Sequence, residues 1–217
     1  MKCFALIGLL WLAACGSAER WIAEDESGAV TLTRRGDTLE IVAPAGLTLW
    51  YAEPLGGDYR ISYDATVLME QRPHDRLADL NCFWAASDPL HPDDFFARSS
   101  WRGGVFARYN SLDLFYVGYG GNDNTTTRFR RYYGLRYGAP NDEVKPLAGE
   151  YTDPEFLLRP NRPLHIEITV EGSRTAFAVD GRMLFSRRIE PGEGDGYFGL
   201  RLLSNRTLVS GFKIERL

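Results

Sequence analysis

From Val30 onward, apolar residues recur at every second position, not at the three-to-four spacing of a helix face. Alternating runs occupy Ala29–Thr33 and Thr38–Ala43, joined through Arg34-Arg35-Gly36-Asp37, and Leu47–Ala52 follows after Pro44-Ala45-Gly46. Tyr59–Glu70 is longer. Ile61, Tyr63, Ala65, Val67 and Met69 share one face of it, and Ser62, Asp64, Thr66 and Glu70 share the other. Asp79–Ser87, Val105–Tyr109, Leu112–Tyr119 and Thr125–Tyr133 continue the pattern. Leu164–Glu171, Arg174–Val179, Met183–Ser186, Tyr197–Leu203 and Leu208–Glu215 close the chain, with hairpin turns at Glu171-Gly172-Ser173 and Asp180-Gly181. One-sided alternation repeated about a dozen times, with no helix longer than a turn or two, predicts an all-β fold of two packed antiparallel sheets. Asp88–Gly104 and the proline-rich Leu135–Pro163 interrupt it. Long irregular connections in a compact domain are usually functional loops.

The N-terminus follows a different rule. Met1-Lys2 is followed by the apolar run FALIGLLWLAA and then Cys15. That run is shorter than the roughly twenty residues a bilayer span needs, and it has the order of an export signal. Leu12-Ala13-Ala14-Cys15-Gly16 resembles a bacterial lipoprotein signal, the alternative being an ordinary signal peptide with an incidental cysteine. The resemblance implies cleavage before Cys15, acylation of its thiol and a protein lipid-anchored to the cell envelope, periplasmic or outer-membrane. Residues 16–28 are then a short tether and 29–217 a single domain. Past that junction Cys82 is the one remaining cysteine, so no internal disulfide is available and the domain must stand on its core. Cys82, flanked by Asn81 and Phe83 in an apolar strand, reads as a buried, inert thiol. A net charge of −4 argues against nucleic acid as partner. The membrane enters only through the lipid anchor, and no cofactor and no metal-ligand cluster is expected.

Between Asp79 and Gly134, aromatic, amide, hydroxyl and guanidinium side chains are interleaved at strand spacing. Sugars are held in this way, with C–H faces on aromatic rings and hydroxyls on fixed donors and acceptors. In Thr125–Tyr133, alternation puts Arg128, Arg130 and Tyr132 on one face, with the two arginines about 7 Å apart. That spacing suits carboxylates on adjacent sugar rings. The same arginines equally suit acidic residues on a neighbouring strand. Asn81, Trp84, Arg108, Tyr116 and Asn122 complete the candidate substrate-binding set. Asn122-Asp123-Asn124 offers oxygen ligands for calcium or, more simply, an Asx-rich turn.

No Glu-x-Asp-x-x-Glu strand, HExxH or Gly-x-Ser-x-Gly is present, so laminarinase-type, zinc-protease and serine-triad chemistry have no motif here. β-Elimination of a uronate asks for less: a carboxylate neutraliser and a base of Tyr, His or Lys type. The candidates are Arg130 as neutraliser and Tyr119 or His91 as base, and His165 reads as structural.

The closing run, PLHIEITVEGSRTAFAVDGRMLFS and GYFGLRLLSNRTLVSGFKIERL, resembles the last strands of concanavalin A-like jelly rolls. DLNCFWAA with RYNSLDLFYVGYGGNDNTTTRFRRYYG is similar to a bacterial family of YesU-like proteins. The resemblance implies a jelly-roll sandwich and a place among polysaccharide-degradation systems, and it brings no catalytic residues. The sequence therefore points to an exported carbohydrate-active protein that binds an acidic, uronate-containing polysaccharide. If it is an enzyme, it is a polysaccharide lyase or an unconventional glycosidase. The alternatives are a non-catalytic carbohydrate-binding module and a structural envelope lipoprotein.

Overall fold

The structure, a computed structural model, describes residues 9–10 and 21–217. The acylation site expected at Cys15 lies outside them. Thirteen strands run in the order β1 (Leu9–Leu10), β2 (Trp21–Asp25), β3 (Thr31–Arg35), β4 (Thr38–Tyr51), β5 (Tyr59–Val67), β6 (Leu80–Ser87), β7 (Asp113–Gly120), β8 (Thr126–Tyr132), β9 (Leu147–Tyr151), β10 (Leu164–Glu171), β11 (Arg174–Val179), β12 (Arg182–Arg188) and β13 (Tyr197–Arg216). All pairings are antiparallel.

Two long strands build both layers. β13 pairs with β6 through its first half and with β5 through its second, and β4 pairs with it along the way. One sheet is therefore β12-β11-β10-β5 continued by the second half of β13, the first half of β4, and β3. The other is β9-β8-β7-β6 continued by the first half of β13, the second half of β4, and β2. The bend falls where the β13 register shifts between Leu203 and Asn205, beside Ser204 at φ 46°. Pro44 lies opposite that bend, between the stretch of β4 that pairs with β3 and the stretch that pairs with β2. A residue without an N–H is tolerated in such a gap. The sequence broke β4 at Pro44 and β13 after Leu203, whereas the backbone carries each through as one strand.

The result is the antiparallel sandwich that the alternation predicted, in the jelly-roll form that the resemblance implied. Its main core lies between the sheets, with Ile61, Tyr63, Cys82, Trp84, Phe115, Phe129, Ile168, Phe177 and Leu200 among its members. Burying such side chains drives the fold at about 25 cal/mol per Å² of apolar surface. A second apolar cluster sits on the outer face of the β6–β8 sheet: Trp50, Phe83, Phe95, Tyr109, Leu114, Tyr116 and Tyr132. The Asp88–Gly104 insert folds over part of that face and seals it.

Three local expectations are corrected. Residues 21–25, read as tether, form β2, with Trp21 packed edge-on to Phe212 at 4.9 Å and Glu24 buried. A buried acid inside W-I-A-E-D hid the strand. Val105–Tyr109, read as a strand, belongs to a 3-10 helix, Phe106–Ser111. Residues three apart eclipse on such a helix, so Phe106 and Tyr109 both turn to the outer cluster. Leu147–Tyr151, read as loop, is the edge strand β9, added to β8.

Candidate functional site

A groove of about 430 Å³ opens on the outer face of the β6–β8 sheet, beside the insert. Its floor is Tyr116 and Gly118 of β7 with Arg128, Arg130 and Tyr132 of β8. Its walls come from Arg76 and Asp79, from Phe106, from the Asn122–Asp123 turn, and from Asn141 and Lys145. Period-two alternation sets this floor. Thr127, Phe129 and Arg131 turn the other way and are buried, whereas Arg128 and Arg130 are part-exposed on the groove side. Gly118 is needed here because a Cβ would sit 2.5 Å from Tyr116 Oη, so the phenol lies across the glycine.

The cations of the groove fall into two kinds. Arg128 is bonded to Glu150 of β9. Arg76 binds Asp79 at 2.6 Å, pairs with Asp123, and donates to the Leu203 carbonyl at 3.1 Å. Arg130 has no carboxylate partner among the described residues; its Nη1 donates to the Lys145 carbonyl at 2.7 Å. Lys145 likewise has no carboxylate partner. Its ammonium lies 5.2 Å from the Phe106 ring centre and 5.7 Å from that of Tyr132. Burial, and then the neighbouring Arg130 charge, lower its pKa. Behind Phe106 stands Arg201, which is 2 % exposed, its guanidinium carbon 5.1 Å from that ring centre. It donates to the Gly104 carbonyl at 2.6 Å. Tyr132 Oη is buried with no hydrogen-bond partner, and burial raises its pKa. Burial also raises that of Tyr116, with the nearby Tyr132 and Asp79 adding to it. Both phenols are therefore neutral donors.

Of the residues singled out from the sequence, Arg128, Arg130, Tyr132, Tyr116 and Asn122 meet in this groove. Asn81 shares their face but lies below it, 4 % exposed, with its Nδ2 3.3 Å from Asp79 Oδ1. Four others lie elsewhere. Trp84 is in the main core, where it donates to Thr175 Oγ1 at 2.9 Å and stacks on Phe129. Tyr119 faces the same core from the far side of β7. Alternation sets both on the strand face opposite Asn81 and Tyr116, and that face is the one that looks into the sandwich. His91 sits in the insert, its Nδ1 3.3 Å from Asp88 Oδ2. Arg108 is bound to the Trp101 carbonyl and lies over that ring.

The Asn122–Asn124 turn takes up its polar atoms locally. Asn122 bonds Thr125 and Asp123 bonds Arg76, while Asn124 clasps both backbone groups of Leu158. Among the described residues, no group of three His, Cys, Asp or Glu side chains is placed to hold a metal ion.

Sequence reasoning missed Lys145, Arg76, Phe106 and Asn141. Arg76, Asn141 and Lys145 lie outside every run read as a strand, and Phe106 lies in Val105–Tyr109, from which only Arg108 was singled out. Lys145 sits between Val144 and Pro146, in a segment with no readable period.

Comparison with known proteins places these features in a family and a fold. A family model described as "Domain of unknown function (DUF6250)" matches residues 41–212. No curated protein matches the chain. Among solved structures, a protein of unknown function with a galectin-like fold from Bacillus subtilis aligns with a TM-score of 0.68. It is 16% identical, over 90% of this chain and 89% of that one. The carbohydrate binding module CBM66 from Bacillus subtilis aligns at 0.56 with 14% identity, over 90% and 94%. The exoplasmic/lumenal domain of VIP36, in its Ca²⁺/Man2-bound form, aligns at 0.57 with 12% identity, over 97% and 87%. At these identities the likeness is one of fold.

Proposed function

The chain belongs to the DUF6250 family, and from that premise we propose that its β6–β8 groove binds an acidic, uronate-containing saccharide. The carrying observation is the pair Arg130 and Lys145, two cations in one groove with no carboxylate partner for either among the described residues. Unpaired charge in a part-buried site is costly, and an anion from outside relieves it. Tyr132 Oη, buried and unbonded, is a donor with nothing to donate to. Phe106 and Tyr116 supply ring faces for pyranose C–H groups. A galectin-like and lectin-like fold, shared with a carbohydrate binding module, supports the same reading by analogy.

Glycoside hydrolysis needs two carboxylates flanking the bond. Here Asp79 and Asp123 are both held by Arg76, and Glu150 by Arg128. That favours a binding site over a hydrolase. Acylation of Cys15 would hold the domain at the envelope surface, where polymeric glycan is met.

The test is titration of the purified domain against a panel of neutral and acidic oligosaccharides by calorimetry. Acidic members should bind, and Arg130→Ala should abolish the preference for them. Equal binding of neutral and acidic members, or none of either, would overturn the proposal.

A further inference from the structure

We propose that the groove also cleaves its glycan, a (1→4)-linked uronan, by β-elimination, with Lys145 as base, Arg130 holding the carboxylate and Tyr116 Oη protonating the leaving oxygen. This rests on the acidic-saccharide reading above. Elimination is limited by the weak acidity of the uronate C5–H. That proton becomes removable when the C6 carboxylate is neutralised and the developing enolate is met by fixed positive charge. Arg130 is available for this, being anchored at 2.7 Å to the Lys145 carbonyl and without a carboxylate partner among the described residues. Arg201, buried behind Phe106 with its guanidinium carbon 5.1 Å from that ring centre, adds positive charge behind the groove.

Lys145 is the amine of the groove lining. It is half-buried and held over the Phe106 and Tyr132 rings. Its lowered pKa, from burial and then Arg130, enlarges the neutral fraction that a general base requires. Tyr116 is the complementary acid. Its phenol lies across Gly118 in the groove floor, and burial keeps its proton on.

The step balances within these groups. Lys145 Nζ takes the C5 proton, and the C5–H pair forms the C4=C5 double bond. The C4–O4 bond breaks and its pair leaves on O4, which receives the Tyr116 proton. One fragment gains a reducing-end hydroxyl, and the other begins with a 4,5-unsaturated uronate. No water is consumed. The Lys145 ammonium then returns its proton to the Tyr116 phenolate through solvent.

The experiment uses the full chain with polygalacturonate, alginate and glucuronan. Ultraviolet absorbance of the unsaturated uronate reports cleavage, and calorimetry on short oligomers reports binding. At least one bound uronan should yield product. Lys145→Arg keeps the charge and removes the base, and Tyr116→Phe keeps the ring and removes the acid. Each should slow product formation by about 100-fold or more while retaining affinity and melting temperature. Binding with no product from any uronan would overturn elimination and leave the binding reading standing. No binding at all would remove both. Product formation unchanged in both variants would overturn the assignment of Lys145 and Tyr116.

Discussion

The outer face of the β6–β8 sheet carries arginines in two settings, and they are treated in opposite ways. Under the insert, Arg102 is fully buried, 2.8 Å from Glu24, and it donates to the Phe95 carbonyl at 3.0 Å. Asp88, also buried, is gripped by Arg98 through two bonds of 2.9 Å. Tyr109 adds its hydroxyl to Glu24 at 2.6 Å. The two buried carboxylates there, Glu24 and Asp88, each have an arginine. In the groove next door, Arg130 and Lys145 have no carboxylate partner among the described residues, though Glu150 stands within reach of Arg128, two residues along the same strand. Burial of an unpaired charge is unfavourable, and under the insert Glu24 and Asp88 are each paired with an arginine. The groove keeps uncompensated charge where solvent, or a ligand, can reach it.

The contrast can be broken at the insert first. Arg102→Met leaves Glu24 buried without its cation and should cost about 3–5 kcal/mol, read as a lowered midpoint in denaturant unfolding. A loss of less than about 1 kcal/mol would mean that the pair is incidental. Arg130→Ala should do the reverse: binding of an acidic oligosaccharide weakens by about 1–3 kcal/mol with the unfolding midpoint unchanged. Arg128→Ala, already satisfied by Glu150, should weaken binding less than Arg130→Ala does, in the same titration. An equal loss for both would dissolve the distinction drawn between them.

Acid sharpens the comparison. Burial alone would raise the Asp88 pKa, but the Arg98 bonds and the Leu90 N–H outweigh it and lower it from 3.8. The folded value is depressed, so the stabilisation is complete above 3.8 and disappears as pH falls through the lowered value. Melting curves of wild type and Asp88→Asn should therefore differ near neutrality and converge in strong acid. The smallest effect concerns Cys82, whose thiol burial pushes up to about 12. It should resist alkylation in the folded state and react only on unfolding.

Much of the groove floor was legible because strand alternation is strict. Once β8 was recognised, Arg128, Arg130 and Tyr132 had to share a face. Trp84 and Tyr119 show the limit of that reasoning. Alternation separates two faces but does not say which of them looks into the sandwich, and aromatic residues suit either. Lys145 shows a second limit, since irregular segments have no period to read and their side chains are placed by what they pack on.

From sequence alone came the all-β sandwich and the alternation of strand faces. These follow from local periodicity and composition, which are properties of neighbours in the chain. Only the tertiary structure decided that β4 and β13 run through both sheets and that Glu24 belongs to the domain. It also decided that Arg128 meets Glu150 while Arg130 does not. Those outcomes depend on which distant residues arrive within a few ångströms, and charge pairing is settled at that range.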